Sequence, residues 1–130
     1  MKGERNGKGR EYNNNGKLIF EGEYLNGKRN GLGKEYNNDS KLIFDGEFLN
    51  GNKWNGKEKG YCFWNGKLKF EGQYLNGLKI GKEYNDDGKL IYEGEFLNWQ
   101  RNGKGKEYNY KGELIFEGEY LNGKRNGKGK

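Results

Sequence analysis

Apolar and polar residues alternate in short stretches along the chain, and the stretches recur. In Leu18-Ile19-Phe20-Glu21-Gly22-Glu23-Tyr24-Leu25 a leucine, an aromatic, a glycine and a second aromatic occupy every other position. A period of two is that of a strand with one face toward a core, so Leu18, Phe20, Gly22 and Tyr24 share one face while Ile19, Glu21, Glu23 and Leu25 point the other way. The pattern returns from Leu42, Leu68, Leu90 and Leu114, at steps of 24, 26, 22 and 24 residues. Each octet runs into an Asn-Gly turn (Asn26-Gly27, Asn50-Gly51, Asn76-Gly77, Asn122-Gly123), where both residues tolerate the positive φ of a tight hairpin. A second strand then begins near a second Asn-Gly (Asn30-Gly31, Asn55-Gly56, Asn102-Gly103, Asn126-Gly127) and runs to Tyr36, Tyr84 or Tyr108. Polar turns such as Asn13-Asn14-Asn15-Gly16 and Asp86-Asp87-Gly88 lead into the next unit. No segment combines helical periodicity with helix-forming composition.

Each unit is therefore predicted to be a β-hairpin, and consecutive hairpins joined by short turns pair as an antiparallel meander. The predicted fold is all-β: an elongated, single-layer antiparallel sheet of about ten strands. Cross-strand aromatic pairs hold it, and nearest-neighbour stacking takes the place of a central core. The glycine between two aromatics lets a ring from the neighbouring strand lie over its backbone. Residues 1–130 form one repeat array, with a half unit at 1–17, units at 18–41, 42–67, 68–89 and 90–113, and an incomplete unit at 114–130. No distinct capping unit is visible at either end, as in a piece of a longer array or a designed consensus.

Composition sharpens this picture. Only 30% of the 130 residues are hydrophobic and 34% are charged, which alone would suggest disorder. Ten Tyr, seven Phe and three Trp argue against disorder and must supply most of the burial. His is absent and Ser40 is the only serine, so no imidazole is present as base or metal ligand and no enzyme is expected. No cofactor or metal is expected either. The lone Cys62 excludes an intramolecular disulfide. No apolar run approaches the roughly 20 residues needed to span a bilayer, and the N-terminus lacks the apolar stretch of a signal peptide. The expected location is the cytoplasm, at a membrane periphery if the basic turns described below are used.

Gly22 and Gly27-Lys28 have the G-x-x-x-x-G-K spacing of a phosphate-binding loop. The next residue is Arg29, not the Ser or Thr that would hold magnesium, and no helix follows. The motif repeats with the array at Gly118–Lys124, so it is the end of a strand and its turn.

The unit "FEGEYLNGKRNGLGKEY" at Phe20–Tyr36, with its aromatic-x-Gly-x-aromatic, Asn-Gly and Gly-x-Gly, resembles the MORN repeat. The "GKEYNNDSKL" linker at Gly33–Leu42 is closer to variant MORN-like repeats. The resemblance implies a non-enzymatic scaffold that binds a protein segment through an aromatic-lined face. That face would be Phe20, Tyr24, Phe44, Phe48, Phe70, Tyr74, Tyr92, Phe96, Phe116 and Tyr120. The competing expectation is that these rings are only the structural stripe.

Departures from the repeat are the remaining candidates. The third unit's connection carries Trp54, Phe63 and Trp64, and Trp99 stands where other turns have glycine. Trp54, Trp64 and Trp99 are a candidate aromatic patch for a partner. A Trp fits positive φ poorly, so its hairpin is predicted to have another turn geometry. The fourth unit is shorter and must shift or shorten its second strand. The net charge is +6, with Lys28, Arg29, Lys124 and Arg125 at hairpin turns. These are candidate contacts for an anionic membrane, the alternative to protein binding. Nucleic acid is disfavoured, because 25 bases interleaved with 19 acids make a diffuse footprint. Terminal strands also offer edges for self-association.

Overall fold

The structure, a computed structural model, describes residues 6–129; the first five residues of the half unit, and Lys130, lie outside the described residues. Among the described residues there are eleven strands and no helix. They are β1 (Gly7–Tyr12), β2 (Leu18–Leu25), β3 (Lys28–Tyr36), β4 (Leu42–Leu49), β5 (Asn52–Tyr61), β6 (Leu68–Leu75), β7 (Leu78–Tyr84), β8 (Leu90–Leu97), β9 (Gln100–Tyr108), β10 (Leu114–Leu121) and β11 (Lys124–Gly129). The strands pair in chain order into one open antiparallel sheet, the predicted meander. Contacts group the chain into two compact units. One ends at Glu58 and includes Tyr74–Gly77; the other is Lys59–Gln73 with the chain from Leu78 onward.

A row of glycines sets the register in each unit. In the first, Gly9, Gly22, Gly33, Gly46 and Gly56 stand directly opposite one another across β1 to β5. In the second, Gly81, Gly94, Gly105, Gly118 and Gly129 do the same across β7 to β11. A Cβ is excluded there by rings and by the backbone of the paired strand: on Gly33 it would stand 2.7 Å from the Phe20 ring, and on Gly22 2.6 Å from Gly33 Cα. Rings therefore lie over backbone, as the sequence pattern predicts.

The rings form an edge-to-face ladder in each unit. In the first unit it runs Tyr24, Phe20, Phe48, Phe44, Tyr74, with centroids 5.1–5.8 Å apart. In the second it runs Trp99, Phe70, Phe96, Tyr92, Tyr120, Phe116, at 5.1–6.0 Å. Such pairs contribute about 0.5–1.5 kcal/mol each beyond the area they bury. A sheet with no second layer thus builds its core from rings lying along its own surface.

Three local predictions need correction. The turn at Asn98-Trp99 is not of another type. Its φ angles of 51° and 73° match the 51° and 79° of Asn26-Gly27. The Trp99 ring packs edge-on against Phe70, and the Lys79 ammonium stands 3.1 Å from its centroid, contacts that offset the strain of left-handed backbone. Second, β3 and β9 start directly after their turns, so Asn30-Gly31 and Asn102-Gly103 lie inside the strands, in a bulge. Asn30, Gly31 and Leu32 together face Glu23, whose carboxylate accepts the Leu32 N–H at 2.8 Å. Third, Asn55-Gly56 is not equivalent to that pair, because Gly56 faces Gly46 as Gly33 faces Gly22. The fourth unit lacks the bulge pair altogether, and β7 is shortened to seven residues, as predicted.

Candidate functional site

The ten candidate rings are the core. Nine of them are at most 8% exposed, and Tyr74 is partly buried. They lie in a stripe along the sheet, each packed against its neighbours in the ladder. Their roof is made of cations. The Arg29 guanidinium lies 4.0 Å from the Phe20 centroid, Arg101 lies 4.5 Å from Tyr92 and Arg125 lies 4.6 Å from Phe116. Lys53 and Lys79 take the same place over Phe44 and Phe70, at 5.2 Å and 4.4 Å. A long basic side chain covers apolar surface with its stem while its head remains available for pairing.

Four of these five cations are locked by a carboxylate 18 residues earlier in the chain. Arg29 donates Nε to Glu11 at 2.9 Å, Arg101 to Glu83 at 2.9 Å and Arg125 to Glu107 at 3.0 Å, while Lys53 pairs with Glu35 at 3.1 Å. Where the second ring of the preceding strand is a tyrosine, its hydroxyl joins the clamp, as Tyr24 does at Glu11 and Tyr120 at Glu107. Sequence reasoning missed these clamps. The signal was there, in the Glu-Tyr pairs that end β1, β3, β7 and β9, whose Glu11, Glu35, Glu83 and Glu107 are followed 18 residues on by Arg29, Lys53, Arg101 and Arg125.

Phenols on both faces donate to carboxylates, which ties stability to pH. Burial and the hydrogen bond to Glu107 push Tyr120 up to about 12. Burial and the bond to Glu71 do the same for Tyr84, and the bond to Glu93 with burial for Tyr108. The fold thus prefers the protonated phenol. Its stabilisation is complete below the ordinary tyrosine value of 10.0 and is lost as pH rises through about 12. The thermal midpoint is expected to fall continuously between these two values, followed by circular dichroism at each pH. A midpoint flat to the upper value would refute the linkage.

The opposite face carries charge in columns. In the first unit Lys8 and Arg10 of β1 face Glu23 and Glu21 of β2, and Lys34 of β3 faces both Glu21 and Asp45 of β4. In the second, Lys82, Glu93, Lys106 and Glu117 succeed one another in the same way. Opposite charges directly across strands each contribute about 0.2–1 kcal/mol. Over the glycine row of the first unit this face opens into a groove of about 710 Å³. Lys8, Arg10, Glu21, Glu23, Lys34 and Asp45 line it together with the exposed Leu32.

The other candidates are dispersed. Lys28 and Lys124 are exposed beside their turns, whereas Arg29 and Arg125 are held in the clamps. The three tryptophans do not form one patch. Trp54 belongs to the first unit and packs against Gly77. In the second unit, Trp64 is in the loop before β6 and Trp99 in the turn after β8, at opposite ends of the strands. An eight-residue strand spans about 26 Å, too far for joint contact.

A family model for the MORN repeat matches residues 1–17, 20–41, 92–113 and 116–130. The stretch 42–91, which contains the lengthened connection and the shortened β7, lies outside these segments. No curated protein matches the chain. The matched segments cover more than half of the sequence, and they contain the strands in which the glycine row, the paired rings and the arginine clamps are most regular. On that footing the chain belongs to the MORN repeat family.

Proposed function

We propose that the chain is a non-enzymatic scaffold that receives a segment of another protein in the charged groove of its first unit. MORN repeats serve in general as protein or membrane interaction modules. The observation that carries this reading is the groove itself. Its volume of about 710 Å³ is within the range of binding clefts, and its glycine floor allows close approach of a partner's backbone. It supersedes the aromatic face as the contact surface because the rings are already buried. The absence of imidazole and the engagement of the ring-face glutamates by arginine and tyrosine favour binding over chemistry. Alternating columns of opposite sign suit a segment of mixed charge, held in a salt-dependent way.

The test places a photoreactive residue at Leu32 in cells producing the chain. Discrete protein adducts are expected from this position, and Glu21→Lys, which makes a groove column basic, should suppress them. Adducts indifferent to that reversal, or none at all, would end the groove reading.

A further inference from the structure

The loop joining β5 to β6 departs from the array in a way the groove does not use. Its closing hydrogen bond runs from Cys62 N–H to Lys67 O, one residue longer than the Asn13 to Lys17 closure of the first loop. A second bond, from Gly66 N–H to Cys62 O at 2.8 Å, holds the loop shut, and Cys62 is buried. The extra length is spent on two rings held outward. Phe63 is 86% exposed and Trp64 67%. They rest edge-on against each other with centroids 4.8 Å apart. A closed loop that keeps two adjacent large rings in water, in a chain this polar, retains them for a surface outside the fold.

The charge around the rings is basic. No carboxylate occurs between Glu58 and Glu71, a stretch that contains Lys59, Lys67 and Lys69. Asp86 of the β7–β8 loop pairs with Lys69 at 2.9 Å and gives only its backbone carbonyl to Lys67, and Asp87 follows it. Lys59 and Lys67 leave the tip positive. Tyr110, 68% exposed in the β9–β10 loop, adds a third ring at this end of the strands, with Lys111 beside it and Glu113 in the same loop.

We propose that Phe63 and Trp64 form a finger that inserts into the interfacial layer of an anionic phospholipid bilayer, with Lys59 and Lys67 at the headgroups. Amphipathic rings settle at that depth, and lysines near an anionic leaflet strengthen the attachment. Two exposed rings in a stretch whose charged side chains are lysines suit a fluid anionic plane. One finger of two rings makes the attachment reversible. The binding rests on residues 63 and 64, not on the basic hairpin turns at the other end of the strands.

The test is co-sedimentation of the whole chain with vesicles of phosphatidylcholine, alone or mixed with phosphatidylserine. Phe63→Ser/Trp64→Ser and Lys28→Ala/Lys124→Ala are run beside the parent. Both double variants are expected to melt with the parent, since all four side chains are exposed. The parent should partition roughly tenfold or more in favour of the mixed vesicles. Phe63→Ser/Trp64→Ser should bind at least about tenfold more weakly than the parent, and Lys28→Ala/Lys124→Ala should bind as the parent does. No sedimentation with mixed vesicles at low salt overturns the proposal and leaves the rings to a protein contact. Binding kept by Phe63→Ser/Trp64→Ser and lost by Lys28→Ala/Lys124→Ala overturns it as well.

Discussion

Gly46→Ala is expected to destabilise the chain by about 3 kcal/mol, the upper end of what overpacking ordinarily costs. The added Cβ would stand 2.1 Å from Asn55 O and 2.5 Å from Gly56 Cα, and both atoms belong to the backbone of the paired strand. A flexible side chain could swing away, but a backbone cannot move without opening the β4–β5 ladder around it. The thermal midpoint should drop by roughly 10 °C or more. Gly60→Ala is the internal control. Its Cβ would meet only Phe70 Cβ at 3.5 Å, an ordinary contact, and Gly60 has no positive φ. That substitution is expected to be neutral or to stabilise by about 0.5 kcal/mol, because it narrows the unfolded ensemble without clash. Thermal melts of the two variants beside the parent decide the matter. Equal melting would mean that the glycine row is not held by close strand approach.

Much of this arrangement was legible in the sequence because it is local. A two-residue period at Leu18–Leu25 names a strand, Asn-Gly names its turn, and a glycine between two rings announces that something must lie over it. Those signals need only a few neighbouring residues. The bulge at Asn30-Gly31 was misread because an Asn-Gly pair looks alike in a turn and inside a strand; only the register of β2 against β3 distinguishes them. Trp99 misled for a related reason. Its intrinsic dislike of positive φ was visible, but the compensating contacts come from Phe70 and Lys79, about 20 to 30 residues earlier. That the ten rings supply burial was legible from composition, but what covers them was not. Their cover comes from Arg29, Lys53, Arg101 and Arg125, residues that a count of hydrophobics places on the surface. Stems of arginine and lysine also cover rings, so a 30% hydrophobic chain has more core than its composition states. The groove was not legible because its lining is ordinary charged strand sequence, and only the pairing of four strands makes it a concavity.

Phe44→Ala is expected to cost about 4–5 kcal/mol, and Phe116→Ala about 3 kcal/mol, a difference that follows from the number of neighbours in the ladder. Phe44 is fully buried and touches a ring on either side, Phe48 at 5.1 Å and Tyr74 at 5.8 Å, beneath the Lys53 ammonium. Phe116 is 8% exposed and meets one ring, Tyr120 at 5.4 Å, beneath Arg125. Removing Phe44 therefore breaks the ladder of the first unit in its interior and leaves Lys53 without the ring it covers. Removing Phe116 shortens the other ladder from its end. In a sheet without a second layer no opposing surface can collapse into the space left behind, so the loss is felt in full at the interior position. Urea denaturation of both variants measures the two costs, with the slope watched for a change in the surface exposed. Costs that were equal and near 1 kcal/mol would assign the stability to the backbone ladder and the clamps instead. The larger interior cost would establish the rings as the core of a one-layer sheet.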